Sequence, residues 1–359
     1  MPTDDLPRYD WWQTYDWNFQ RAPAVRNLSV PQIPGDWEFC GLPVNSPLGV
    51  PAGPLLNGKW CLYYASLGFD VLTYKTVRSR EQACYALPNL QPVRCDSLRG
   101  GERDLCTSET MEGNWAVSFG MPSKAPEVWR ADVERTKDSL PAGKLLCVSV
   151  VGTMQAGWSI EDLAHDYARC ASWAVDSGAD AVESNLSCPN VTTCDGQLYQ
   201  FPTDAALVAQ CVRDAIGDTP YVIKVGQVTE CERAEALIEA VGDRADALAM
   251  TNSIATTVRD KNSRPLFDGH VRGICGKAIR NASTDQVAMF AGLIRERDSE
   301  LRIVGVGGAT KAADVRAYLA AGAHAVHLAT AAMVQPSVAL EIKRELAARS
   351  LTEDNQIEK

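Results

Sequence analysis

The stretch Glu183-Ser184-Asn185-Leu186-Ser187-Cys188-Pro189-Asn190 sets one cysteine between two asparagines, directly after an apolar run that reads as a buried strand. Asparagine amides both donate and accept, so a pair of them can hold a flat polar heterocycle. A thiolate beside such a ring can take a proton from carbon. The pattern suits chemistry on a cyclic amide or imide, with Cys188 as general base and Asn185 and Asn190 as ring holders. The competing reading makes Cys188, one of twelve cysteines, a small buried apolar residue. Its place among amides at a strand end favours the catalytic role.

Residues that act together need a scaffold, and the chain supplies a rhythm for one. Short apolar runs followed by stretches of helical period occur at Leu48–Gly53, Val71–Thr76, Leu145–Gly152, Ala181–Asn185, Tyr221–Gly226, Ala247–Asn252, Ile303–Gly308 and Ala325–Thr330. Fully apolar strands alternating with helices imply a parallel sheet covered on its outer side. Eight such units predict an α/β fold, a (β/α)8 TIM barrel spanning 48–348. Ser159-Ile160-Glu161-Asp162 opens one helix as a capping box, with Leu163, Tyr167, Cys170, Ala171 and Ala174 on its apolar face. Thr310 to Asp314 opens another, which Ala321-Gly322 closes. A doubly wound sheet would need a dinucleotide fingerprint near the first strand, and none is there. Residues 1–47 form an aromatic N-terminal extension expected to pack on the barrel, and 349–359 a polar tail. The long insertions 77–144 and 253–301 are expected over the C-terminal face as lids.

Composition narrows the function. With 359 residues, 46% of them hydrophobic, the chain can bury a large core. A formal charge of −10 and no basic block argue against a nucleic-acid partner. No apolar run reaches a membrane span, and the N-terminus lacks a signal-peptide pattern. Scattered cysteines without a Cys-x-x-Cys pair suit a reduced, cytoplasmic protein with no zinc or iron–sulfur site. With four histidines, none at ligand spacing, no metal centre is expected.

In a barrel the working groups project from the C-terminal strand ends. Those ends are Pro51-Ala52-Gly53-Pro54, Tyr74-Lys75-Thr76, Asn185, Lys224, Thr251-Asn252-Ser253, Gly305-Val306-Gly307-Gly308 and Ala329-Thr330. Glycines after the seventh strand and small residues after the eighth suit a phosphate held by backbone N–H groups. Lys75 and Lys224 follow apolar runs, where a buried cation needs a partner. A buried carboxylate would serve, as would an electron-rich flavin.

The motif Asn185-Leu186-Ser187-Cys188-Pro189-Asn190 resembles the signature of the dihydroorotate dehydrogenase family in its soluble, cysteine-using class. The membrane-associated class carries serine at the base position, and the dihydropyrimidine dehydrogenases share a similar FMN barrel. Resemblance continues at Ala52-Gly53, Lys75-Thr76, Lys224, Asn252-Ser253, Gly273-Ile274-Cys275-Gly276, Gly307-Gly308 and Thr330, covering roughly residues 42–335. It implies an FMN-dependent oxidoreductase that interconverts a dihydropyrimidine-like ring, by default dihydroorotate, with its unsaturated form. FMN would be held by Ala52, Gly53, Lys75, Thr76, Asn185, Lys224, Asn252, Gly276, Gly307, Gly308, Ala329 and Thr330. Lys75, Asn185, Asn190, Asn252 and Ser253 would meet the substrate, together with Ser118, Phe119, Gly120 and Met121 from the loop after strand two. Catalysis would rest on Cys188 with Lys75. A homodimer is the expected assembly, and fumarate, a quinone, a partner flavoprotein or a nicotinamide are all open as electron acceptor.

Three features depart from the family pattern. Val117 stands where the loop usually has an asparagine that reaches the substrate, and Asn114 is the nearest residue able to replace it. Ala329-Thr330 replaces the usual Gly-Thr, and the shortest soluble members lack an aromatic extension of this kind. Val117 therefore opens a second reading, turnover of a different cyclic amide or dihydropyrimidine. A third is a flavin- or ligand-binding barrel without catalysis.

Overall fold

Eight short strands close into a parallel barrel: β1 Leu48–Val50, β2 Val71–Val77, β3 Leu145–Val150, β4 Ala181–Asn185, β5 Tyr221–Lys224, β6 Ala247–Met250, β7 Arg302–Val306 and β8 Ala325–His327. The ring is completed where β8 pairs with β1 through Val326↔Leu48 and His327↔Gly49. The computed structural model describes residues 6–102, 104–187 and 197–357, with side chains as far as 348. The (β/α)8 expectation is met, although several strands end before their apolar runs do. β1 stops at Val50 because Pro51 has no N–H to give the ladder, which frees Ala52 and Gly53 from the sheet.

The helices follow local signals. Ser159 accepts from the Asp162 N–H while Asp162 accepts from the Ser159 N–H, a complete capping box for Ile160–Asp176. Its apolar stripe of Leu163, Tyr167, Cys170, Ala171 and Ala174 is fully buried. The helix expected from Thr310 begins at Ala312, because the Asp314 carboxylate folds back onto the Thr310 N–H and hydroxyl. The last helix, Val338–Ile357, runs straight through residue 349, where a separate tail was expected.

The barrel floor is closed by a hairpin, Trp37–Phe39 with Leu42–Val44, turned through Cys40 and Gly41, both at positive φ. Phe39 and Val44 pack against Val71, Leu145, Cys147, Ala181 and Val222 inside the barrel. Burying a side chain of the size of Phe39 stabilises by about 1.5–3 kcal/mol.

The two insertions fold together. Strands Leu90–Arg94, Asp104–Thr107 and Asn114–Val117 from the first join Ile254–Arg259 and Arg272–Gly276 from the second in a closed five-stranded barrel. Gly273↔Val117 and Thr257↔Asp104 are its cross-insertion registers. Val93, Leu98, Leu105, Ala116, Ile254, Val258 and Ile274 give it a core of its own. The N-terminal segment lies against this cap and the main barrel. Trp60 Nε1 donates to the Asn18 carbonyl (3.1 Å), Asn57 to Phe19 (2.8 Å) and Tyr63 to Pro7 (2.6 Å).

Candidate active site

The C-terminal mouth of the barrel brings the expected side chains to one end. On β2 the pairing with β3 slips between Tyr74↔Val148 and Val77↔Val150, so Lys75 and Thr76 together oppose Ser149. Such a bulge re-aims side chains beside a site. It buries Lys75 and sets the Thr76 hydroxyl 3.0 Å from that of Ser149. Asn185 and Lys224 are direct partners in the β4–β5 ladder. The Asn185 amide is locked. Its oxygen accepts from the Ser187 N–H (3.2 Å) and hydroxyl (2.8 Å), and its Nδ2 donates to the Met121 sulfur (3.2 Å).

Lys224 has a partner inside the protein. Its Nζ lies 3.2 Å from Glu183 Oε1, with the two side chains 7% and 3% exposed. The contact is one of charge, since that oxygen receives no hydrogen bond. Of the two counter-charges open to this lysine from its sequence, the buried carboxylate is therefore present. Deeper in the barrel, His327 stacks on Phe39 (centroids 5.9 Å apart, planes at 18°) over the bare face of Gly49. Both its ring nitrogens are buried without a hydrogen bond. Burial, then the charge of Lys224, push its pKa down to about 3.

Beyond β6, β7 and β8 lies a cavity that opens to solvent and encloses about 660 Å³ when the space at its mouth is counted. Asn252, Gly276, Gly307, Gly308, Ala329 and Thr330 line it together with Cys275. A Cβ on Gly276 would fall 2.0 Å from the Gly113 carbonyl, and one on Gly308 2.5 Å from that of Gly276. Both glycines sit at positive φ. The cradle is thus bare backbone by necessity, the form in which N–H groups meet a phosphate. Lys75 and Thr76 line instead a smaller pocket of 200 Å³ beside Tyr15, Phe19 and Trp129. Nothing lies within 4 Å of where a Gly53 Cβ would stand, so the backbone there is open to a flat ligand, while the neighbouring Ala52 is buried.

The loop after β2 is packed among protein groups. Ser118 Oγ accepts from Arg272 Nε (2.9 Å), and its backbone pairs with Asn89. The Phe119 ring packs edge-on against Tyr9 and Tyr15 of the N-terminal segment. Gly120, at positive φ, lies under Tyr85. The Ser118 hydroxyl keeps its own O–H to donate, and the Met121 sulfur takes a hydrogen bond from Asn185. Arg78 holds this loop by donating to the Met121 carbonyl (3.1 Å) and to Thr153 Oγ1 (2.9 Å). Asn114 does not replace the asparagine missing at 117. Its amide is consumed by the Cys95 carbonyl (2.8 Å) and the Ala278 N–H (2.7 Å). Ser253 Oγ lies against Gly273, the ladder partner of Val117. Cys188 and Asn190 fall outside the described residues.

Sequence reasoning missed the groups that set the strand ends. Gln286 and Ser283 are buried on the helix Arg280–Glu296. Gln286 accepts from Thr251 Oγ1 (2.7 Å) and the Val228 N–H, and donates to the Gly226 carbonyl (3.0 Å). Ser283 bridges the Thr251 N–H and the Val306 carbonyl. Their spacing, polar residues on an otherwise apolar helix face, was the available signal.

A closed parallel barrel with buried lysines, an oriented amide and a glycine cradle at one mouth has the layout of an α/β-barrel enzyme. The sequence profile of dihydroorotate dehydrogenase matches residues 106–349. The dihydroorotate dehydrogenase of Dictyostelium discoideum is 30% identical, over 93% of this chain and 96% of its own length. The catalytic subunit of dihydroorotate dehydrogenase B (NAD(+)) from Desulforudis audaxviator is 32% identical over 58% of this chain and 65% of that protein. A crystal structure of the Eimeria tenella enzyme in complex with ferulenol shares the fold, with a TM-score of 0.72 at 18% identity, covering 96% of this chain and 92% of that one. The chain belongs to the dihydroorotate dehydrogenase family and is an oxidoreductase acting on CH–CH bonds.

Proposed function

We propose that the protein binds FMN across the barrel mouth and interconverts dihydroorotate and orotate, with Cys188 handling the carbon-bound proton. The observation that carries this reading is that Lys75, Asn185 and Lys224, at the ends of β2, β4 and β5, share the C-terminal mouth of the barrel with the Gly307-Gly308 turn that follows β7 and is covered by Gly276. The residues fit the cofactor. Bare backbone at Gly307 and Gly308 suits its phosphate, and open backbone at Gly53 suits a flat ring. When bound, FMN supplies a hydride acceptor. Asn185, with its amide oxygen fixed by Ser187 and one Nδ2 hydrogen given to Met121, keeps its second Nδ2 hydrogen to orient the ring. The Cys188 thiolate takes the proton from the carbon next to the one that gives up hydride, and in reverse the thiol returns it.

The purified protein is expected to be yellow, and dihydroorotate under anaerobic conditions is expected to bleach it. Cys188→Ala should retain FMN and bleach about 10²–10⁴ times more slowly. A colourless protein rejects the cofactor, and bleaching of Cys188→Ala at the wild-type rate rejects the base.

Val117 favours a second reading. With no polar group at 117 and Asn114 engaged elsewhere, a substrate group left unpaired costs about 1–3 kcal/mol. A dihydrouracil-like ring bleaching the flavin where dihydroorotate does not would select this alternative.

A further inference from the structure

We propose that Lys277 is a ligand of the cofactor phosphate, an assignment that rests on the FMN reading above. Among the residues lining the cavity behind β6, β7 and β8, Lys277 is the one that carries a charge. It forms no ion pair with any described residue, although sixteen such pairs occur elsewhere. Its place is set by its neighbours. Gly276, at φ 119°, turns the chain out of the strand Arg272–Gly276, and the Lys277 N–H then donates to the Gly113 carbonyl (3.1 Å).

Gly113 is bare, and a Cβ there would come within 3.2–3.5 Å of Cγ, Cδ and Cε of the lysine. The aliphatic stem therefore lies along the cavity wall. The Gly276 carbonyl, which belongs to the peptide leading into Lys277, lies 2.5 Å from where a Gly308 Cβ would be, so this peptide abuts the glycine cradle. The cradle itself offers only neutral N–H donors, whereas a phosphate monoester carries about two negative charges near neutral pH. A lysine on the wall of that cradle, with no carboxylate of its own, supplies the missing counter-charge as a point cation on a flexible stem.

The test measures how fast bound FMN leaves the holoenzyme. Wild type, Lys277→Met, Lys277→Arg and Lys311→Met are diluted at low and high salt, and release is read from the rise in free-flavin fluorescence. Lys277→Met is expected to release FMN roughly tenfold faster at low salt, equivalent to about 1.4 kcal/mol. That difference should shrink as salt screens it. Lys277→Arg should restore slow release, and Lys311→Met, which removes an equal charge outside the cavity lining, should match wild type. Equal release from wild type and Lys277→Met at unchanged melting temperature overturns the assignment, as does an equal loss in Lys311→Met. A wild-type protein that carries no flavin fails the cofactor reading itself, an outcome distinct from either.

Discussion

Replacing Glu183 with glutamine keeps the shape of the barrel interior and removes one charge. The Lys224–Glu183 contact is 3.2 Å long, with side chains 7% and 3% exposed, so water screens it little. At an effective dielectric of about 20, two unit charges at that distance attract by about 5 kcal/mol. Removing one partner leaves a buried ammonium uncompensated, and the expected cost is about 3–5 kcal/mol. No hydrogen bond to Oε1 is lost with it, so charge accounts for the effect. For a chain of 359 residues the entropy of unfolding is on the order of 0.75 kcal/mol/K, which makes the loss about 4–7 °C in melting temperature. The double variant Glu183→Leu/Lys224→Met removes both charges and should recover at least half of that loss. Calorimetry on the three proteins decides the matter. A Glu183→Gln protein melting within about 1 °C of wild type, or a double variant worse than the single, would refute the claim that this pair compensates itself.

Other expectations follow from buried groups. His327 is held near pKa 3 in the fold against 6.5 in the unfolded chain, so its contribution is fully present above pH 6.5 and is lost as pH falls toward 3. Between pH 7 and 5 the wild type should lose about 2 kcal/mol more than His327→Leu, measured by urea melts; parallel profiles would contradict this. At the barrel floor Asp70 pairs with Lys144 (2.5 Å) and with Lys343 (2.6 Å) of the last helix, and Ser46 also donates to it. Asp70→Asn strands two cations and should cost about 3–5 kcal/mol. Lys343→Met should cost less than about 1 kcal/mol, because Lys144 still balances Asp70 and burial already pushes the Lys343 pKa down. The same melts check this pair, and equal losses in both variants would count against it.

The barrel was legible because its strands are apolar on both faces and its helices carry caps and stripes, as at Ser159–Ala174. The strand-end residues were legible because the architecture says where to look. The cap was not. Its strands are four to six residues long, and Asn114–Val117 finds its partner in Arg272–Gly276, too far along the chain for local pattern to show. The expected lids are one folded body instead. In the sequence Glu183 stands as part of a motif and does not show itself as the counter-charge of Lys224, because strand alternation gives a facing but not a partner. Asn114 looked available for the same reason, since nothing local reveals that Cys95 and Ala278 consume its amide.

The five-stranded cap has a bearing on how this sequence can be recombined. Each insertion contributes strands whose neighbours come from the other, at Val117↔Gly273 and Asp104↔Thr257. Transplanting either segment alone into a related barrel would leave open edges with unpaired N–H and C=O groups. The two segments, separated by four of the eight barrel strands, are one unit of inheritance, and a functional chimera has to exchange them together.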